Sequence, residues 1–75
     1  MPALFREGRV LIRLFDRDHQ PPHCHVSTSD GDVQVSLDSL TIINGDIRTQ
    51  DYEVARRIIS DNIAFLREEW TRRNG

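Results

Sequence analysis

Two alternating runs meet at Asp30-Gly31, and no other feature constrains the chain as strongly. Asp-Gly is a preferred two-residue hairpin turn when the flanking segments alternate apolar and polar residues. Setting Ser29 opposite Asp32 predicts the pairs Thr28 with Val33, Ser27 with Gln34, Val26 with Val35, His25 with Ser36, Cys24 with Leu37 and His23 with Asp38. Cys24, Val26, Thr28, Val33, Val35 and Leu37 then share an apolar face that must be buried. His23, His25, Ser27, Gln34, Ser36 and Asp38 share the other. A slip of one residue would oppose apolar to polar side chains, so turn and pattern support one arrangement.

The remaining elements assemble around that hairpin. Gly8 to Phe15 reads as a strand with Val10, Ile12 and Leu14 on one face and Arg9, Leu11, Arg13 and Phe15 on the other. Thr41-Ile42-Ile43 is either a short fourth strand turning at Asn44-Gly45 or an irregular connection. Thr49 reads as the N-cap of one long helix whose apolar stripe is Tyr52, Ala55, Ile59, Ile63, Leu66 and Trp70. The expected fold is α+β: an antiparallel sheet of three or four strands with one long C-terminal helix packed on one face, in a single domain spanning 1–75.

Bulk properties exclude several classes. A chain of 75 residues buries only about 60% of its unfolded surface, so its core is small. One cysteine makes no internal disulfide, and no apolar run approaches the roughly 20 residues of a membrane span. Arg6, Glu7 and Arg9 interrupt the N-terminal stretch where a signal peptide needs apolar residues, so a cytoplasmic location is expected. All ten basic residues are arginine, against twelve acids, and a net charge of -2 argues against a strongly basic nucleic-acid domain.

Asp16 to Val26 gathers all three histidines, the cysteine and two of the three prolines. Pro21 and Pro22 stiffen the link between His19 and His23. The string Asp18-His19-x-Pro21-Pro22-His23-x-His25-Val26, with an N-terminal Met-Pro, Phe5-Arg6, and Ile59, Asn62, Leu66 and Trp70 on a helix, resembles the bacterial small-protein family known as domain of unknown function four-one-six-zero. The resemblance spans nearly the whole chain. It implies a β-rich N-terminal half followed by a helix, and an association with toxin–antitoxin pairs rather than a mechanism.

One helix covers only one sheet face, so the face with His23 and His25 is expected to stay open. Three readings of it follow. In the leading one the open face or a free strand edge is a protein-binding module of toxin–antitoxin type, docking a protein partner or a second copy. In the second, His19, His23 and His25 hold zinc or another divalent transition metal, because histidines two apart on a strand can reach one ion. In the third, His23 or His25 acts as acid or base, Asp38 orients it and Arg9 or Arg13 contacts a phosphate, giving a histidine-based hydrolase or ribonuclease acting on RNA. His23, His25, Asp38 and Arg13 are its candidate catalytic residues. Asp16 and Asp18 could bind a cation, but an Asp-x-Asp in a proline-bearing loop reads as turn chemistry, and Cys24 as a core residue.

Overall fold

The alternation of Val10, Ile12 and Leu14 with polar neighbours, repeated by Cys24 and Val26 and by Val33 and Val35, builds a sheet with one wholly apolar side. The computed structural model describes residues 4–74. Its strands are β1 (Phe5–Glu7), β2 (Val10–Arg13), β3 (His23–Thr28), β4 (Gly31–Ser36) and β5 (Ile42–Gly45), followed by helices α1 (Thr49–Asp61) and α2 (Ile63–Asn74). The strands pair in chain order, each antiparallel to the next. The α+β class holds, but the sheet has five strands rather than three or four. The additional one is β1, too short to register as an alternating run, which returns through a turn where Gly8 takes φ 59°. Ile42–Gly45 forms the strand left open above.

The central hairpin turns one position earlier than Asp30-Gly31. Thr28 pairs with Gly31, Val26 with Val33, His25 with Gln34 and His23 with Ser36. Neither Ser29 nor Asp30 has positive φ, so this is not the primed turn that Asp-Gly favours. The Thr28 hydroxyl accepts from the Asp30 N–H at 3.1 Å and donates to the Gly31 carbonyl at 3.2 Å. The Asp30 carboxylate is drawn to Arg9 at 3.2 Å and Arg48 at 3.0 Å. Those contacts fix the turn at Ser29-Asp30. The register moves by two residues, so Cys24, Val26, Val33 and Val35 keep the core face while His23 loses its expected neighbour, Asp38; the face expected to stay open is closed at His23 and Ser36, which are 0% and 6% exposed.

The single long helix is interrupted. Asn62 adopts φ -123° and ψ 22° between α1 and α2, and its side-chain amide donates to the Ile58 carbonyl at 2.8 Å. An asparagine that satisfies a helical carbonyl with its side chain shares that acceptor with the backbone ladder and interrupts the regular helix. Thr49 is the first helical residue, not the N-cap. Arg48 holds that place without a side-chain cap, because a guanidinium only donates, and it bonds Asp30 instead. Asp51 in the first turn of α1 is instead clamped by both arms of Arg9, at 3.2 and 3.0 Å.

Ile12, Leu14, Leu37, Ile59 and Leu66 are the largest aliphatic side chains fully buried between sheet and helices, joined by Trp70 from α2. Each contributes roughly 1.5–3 kcal/mol by leaving water. Cys24 lies in this core as expected. Among the described residues no helix is long and apolar enough to cross a membrane.

Two outcomes test this architecture. Gly45 takes φ 85°, and a Cβ there would collide with the Asp32 carbonyl of β4. Gly45→Ala is expected to lower the unfolding free energy by about 1–3 kcal/mol in a urea titration, whereas an unchanged midpoint would place β5 elsewhere. Burial pushes the Cys24 thiol up from 9.0 to about 12. Since the folded-state value is raised, the associated stability is present below pH 9.0 and is lost as pH climbs toward about 12. Iodoacetamide at about pH 8 should leave the native thiol unmodified and alkylate it readily once guanidinium unfolds the chain; rapid native labelling would contradict this packing.

Candidate functional site

The strand parity that sends Cys24 and Val26 into the core sends His23 and His25 to the opposite face, and the loop before β3 folds back over them. That loop brings Asp18, and its carboxylate becomes the hub. Asp18 Oδ2 accepts from His25 Nε2 at 2.8 Å and lies 3.1 Å from His23 Nε2, while Oδ1 lies 3.0 Å from His19 Nδ1. The His19 backbone N–H also donates to Oδ1 at 2.9 Å. Burial acts to raise the Asp18 pKa, but the hydrogen bonds from His25 and the His19 N–H, with the positive charge His23 and His25 can carry, outweigh it and hold the carboxyl below its ordinary value.

The three histidines are not equivalent. His23 is fully buried, its ring centroid 5.2 Å from that of Trp70. Its Nδ1 sits 2.7 Å from the Pro21 carbonyl, and a carbonyl only accepts, so Nδ1 carries the proton. In the neutral ring Nε2 is therefore a bare lone pair. It is screened from solvent and, although 3.1 Å from Asp18 Oδ2, lacks the direction of a hydrogen bond. Two acceptors facing each other repel unless a proton or a cation lies between them. His25 is half-buried under Phe15, with ring centroids 4.4 Å apart. His19 is 68% exposed at the mouth, its ring 5.0 Å from that of His23.

Two side chains at the end of α2 hold the loop. Asn74 Oδ1 accepts from the Asp18 N–H, and Asn74 Nδ2 donates to the Phe15 carbonyl at 3.1 Å. Arg73 reaches Asp16 at 3.1 Å.

Of the residues singled out from sequence, His23 and His25 converge, and Arg13 stands beside them as the cross-strand neighbour of His25. His19 touches the hub from its exposed side. Asp38 does not meet His23: it is 63% exposed and lies 3.5 Å from Arg67. The expected His23–Asp38 pair is lost to the two-residue register shift. Arg9 is committed to Asp51 and Asp30, away from the histidines. Sequence reasoning missed Asp18, because an acid in a proline-bearing loop resembles turn chemistry. It also missed Asn74, which reads as a helix stop; only the spacing of Asp18 from three histidines hinted at the first.

Asp18, His23 and His25 can present one ligand atom each, all within 4.8 Å of one another. The 3.1 and 2.8 Å separations to Asp18 are near the roughly 3.3 Å between ligand atoms of a tetrahedral ion bound at about 2.0–2.1 Å. Two imidazoles and one carboxylate suit zinc or another first-row divalent ion. Coordination would use the free lone pair of His23 and require His25 to move its proton to Nδ1.

The chain is thus a five-stranded meander, its core face covered by α-helical segments, with a carboxylate–histidine centre on the opposite face. The family model for a domain of unknown function (DUF4160) matches residues 9–71, and the chain belongs to that family. Neither a curated protein nor a solved structure matches it.

Asn74→Ala should release the loop. Its expected cost is about 1–2 kcal/mol in urea unfolding, with line broadening at the His19 and His25 ring resonances. Unchanged ring signals would show that the loop is held without Asn74.

Proposed function

We propose that this protein is a small hydrolase dependent on a divalent transition metal held by Asp18, His23 and His25. The observation that carries this reading is the buried Nε2 of His23, whose tautomer is set by Pro21 and which, 3.1 Å from Asp18 Oδ2, makes no hydrogen bond among the described residues. A structural histidine would have its second nitrogen satisfied. Three protein ligands leave a position for water, and a bound ion would lower the pKa of that water to about 7, supplying a nucleophile at neutral pH. The protein's own part is geometric. Pro21 orients the His23 ring, Asn74 fixes the backbone of Asp18, and Phe15 shields His25. His19, exposed and bonded to the other oxygen of Asp18, is placed to pass protons between solvent and the centre.

A second reading has its own observation. β5 is an edge strand with Ile42 and Ile43 exposed at 37% and 42%, and a partner of toxin–antitoxin type, or a second copy, would add a strand there. It leaves the lone pair of His23 unexplained, and we rank it second.

Zinc titration with imidazole nitrogen NMR tests the first reading. One equivalent should shift the Nε2 resonances of His23 and His25 into the coordinated range and leave those of His19 less affected. Asp18→Asn should weaken zinc binding at least about tenfold. Three rings indifferent to zinc would overturn it.

A further inference from the structure

The open face carries a row of polar side chains in strict cross-strand register: Arg13 on β2 opposite His25 on β3, His25 opposite Gln34 on β4, and Gln34 opposite Asn44 on β5. Adjacent strands lie about 4.8 Å apart, so the row spans roughly 14 Å and the candidate metal centre sits within it. Among the described residues Arg13 has no carboxylate partner, whereas Arg9, Arg48, Arg57, Arg67, Arg72 and Arg73 are paired. Its Nε is screened from solvent and has no hydrogen-bond acceptor. A half-buried guanidinium with an orphaned donor is costly unless an acceptor completes it, and an anion does so with complementary charge.

The other end of the row differs. Gln34 and Asn44 line a shallow groove of about 320 Å³ that runs from His25 and also contains Asp32. Amides both donate and accept, and a carboxylate only accepts, so this end repels an anion and suits hydroxyl and amine donors. The face is therefore polarised: an oxyanion acceptor site at Arg13, and a site for hydrogen-bond donors about 10 Å away.

We propose that the row Arg13, His25, Gln34 and Asn44 binds a nucleotide, its phosphate lodged between Arg13 and the Asp18–His23–His25 centre and its sugar and base over Gln34 and Asn44. A planar guanidinium takes a phosphate through two parallel hydrogen bonds, which a single ammonium cannot reproduce. Asp32, one row along the strands and opposite Ser27, accepts from a ribose hydroxyl or an exocyclic amine. This assignment rests on the centre proposed above for the position of the phosphate, but the arginine and the amides belong to the sheet whether or not a metal binds.

The test is calorimetry on the full chain, first with zinc alone, then with inorganic phosphate, adenosine monophosphate and the dinucleotide adenylyl-adenosine. Adenosine monophosphate should bind more tightly than inorganic phosphate. Arg13→Gln should weaken both by about tenfold or more while zinc affinity stays within about twofold, with Arg13→Lys intermediate. Gln34→Ala and Asn44→Ala should weaken adenosine monophosphate and leave inorganic phosphate unchanged. Stronger binding of the dinucleotide would mark a phosphodiester as the ligand, and weaker binding a monoester. Wild-type affinity for adenosine monophosphate in a folded Arg13→Gln chain would overturn the assignment, as would an amide series that never separates it from inorganic phosphate. If zinc itself does not bind, the metal reading fails separately, and the same titrations on the metal-free chain decide: loss of nucleotide binding in Arg13→Gln sustains the row, and no nucleotide binding to the wild type overturns it.

Discussion

The Asp18 carboxylate can serve two imidazoles only because the far end of the chain holds the backbone beneath it. Asn74, in the last turn of α2, accepts from the Asp18 N–H and donates to the Phe15 carbonyl, so both the hub and the aromatic cover of His25 hang from one amide side chain. That amide is placed by Trp70 and Leu66, which seat α2 in the core. The helix that buries the apolar face is thus also what shapes the opposite face. A change in core packing under α2 reaches the histidines through Asn74 and also directly, since the Trp70 ring centroid lies 5.2 Å from that of His23.

What could be read from the sequence follows the same division. The inward set on β2, β3 and β4 was legible because it depends on parity alone, and parity survives a two-residue shift of register. The outward neighbours did not survive it: His23 faces Ser36 where Asp38 was expected. The shift comes from the Thr28 hydroxyl within the turn and from the pull of Arg9 and Arg48 on Asp30, the latter contacts between residues far apart in sequence. Asp-Gly turn preference is a local quantity and loses to them. The break at Asn62 is local, through its side chain on the Ile58 carbonyl, and an apolar stripe with helical spacing continues across it without showing it.

The site was legible as a place and not as a constellation. His23 and His25 come from one strand, and their shared face needed only the period of two. Asp18 reaches them through a loop in which Arg17 takes φ 57°, a left-handed conformation that no side-chain pattern announces. Non-glycine residues in that region are held there by surrounding contacts, and here those contacts are Asn74 and Arg73 from the helix end. Strain next to the hub is consistent with a loop shaped for the position of a carboxylate rather than for its own stability.

The proposed ligands also bear on stability. A domain of this size is stable by only about 5–15 kcal/mol, and a buried polar atom without a partner costs about 1–3 kcal/mol. His23 Nε2 and Arg13 Nε are two such atoms on one face, on neighbouring strands, one a lone pair and the other a donor. Their chemistry is opposite, so a group that only donates or only accepts does not satisfy both. A cation at His23 with an anion bridging it to Arg13 does, and binding of either would add stability in proportion to the logarithm of its concentration over its dissociation constant. Replacing both with apolar residues would give a more stable sheet and leave the face without a site. The chain keeps them where a small core can least accommodate them, and that choice carries the functional reading.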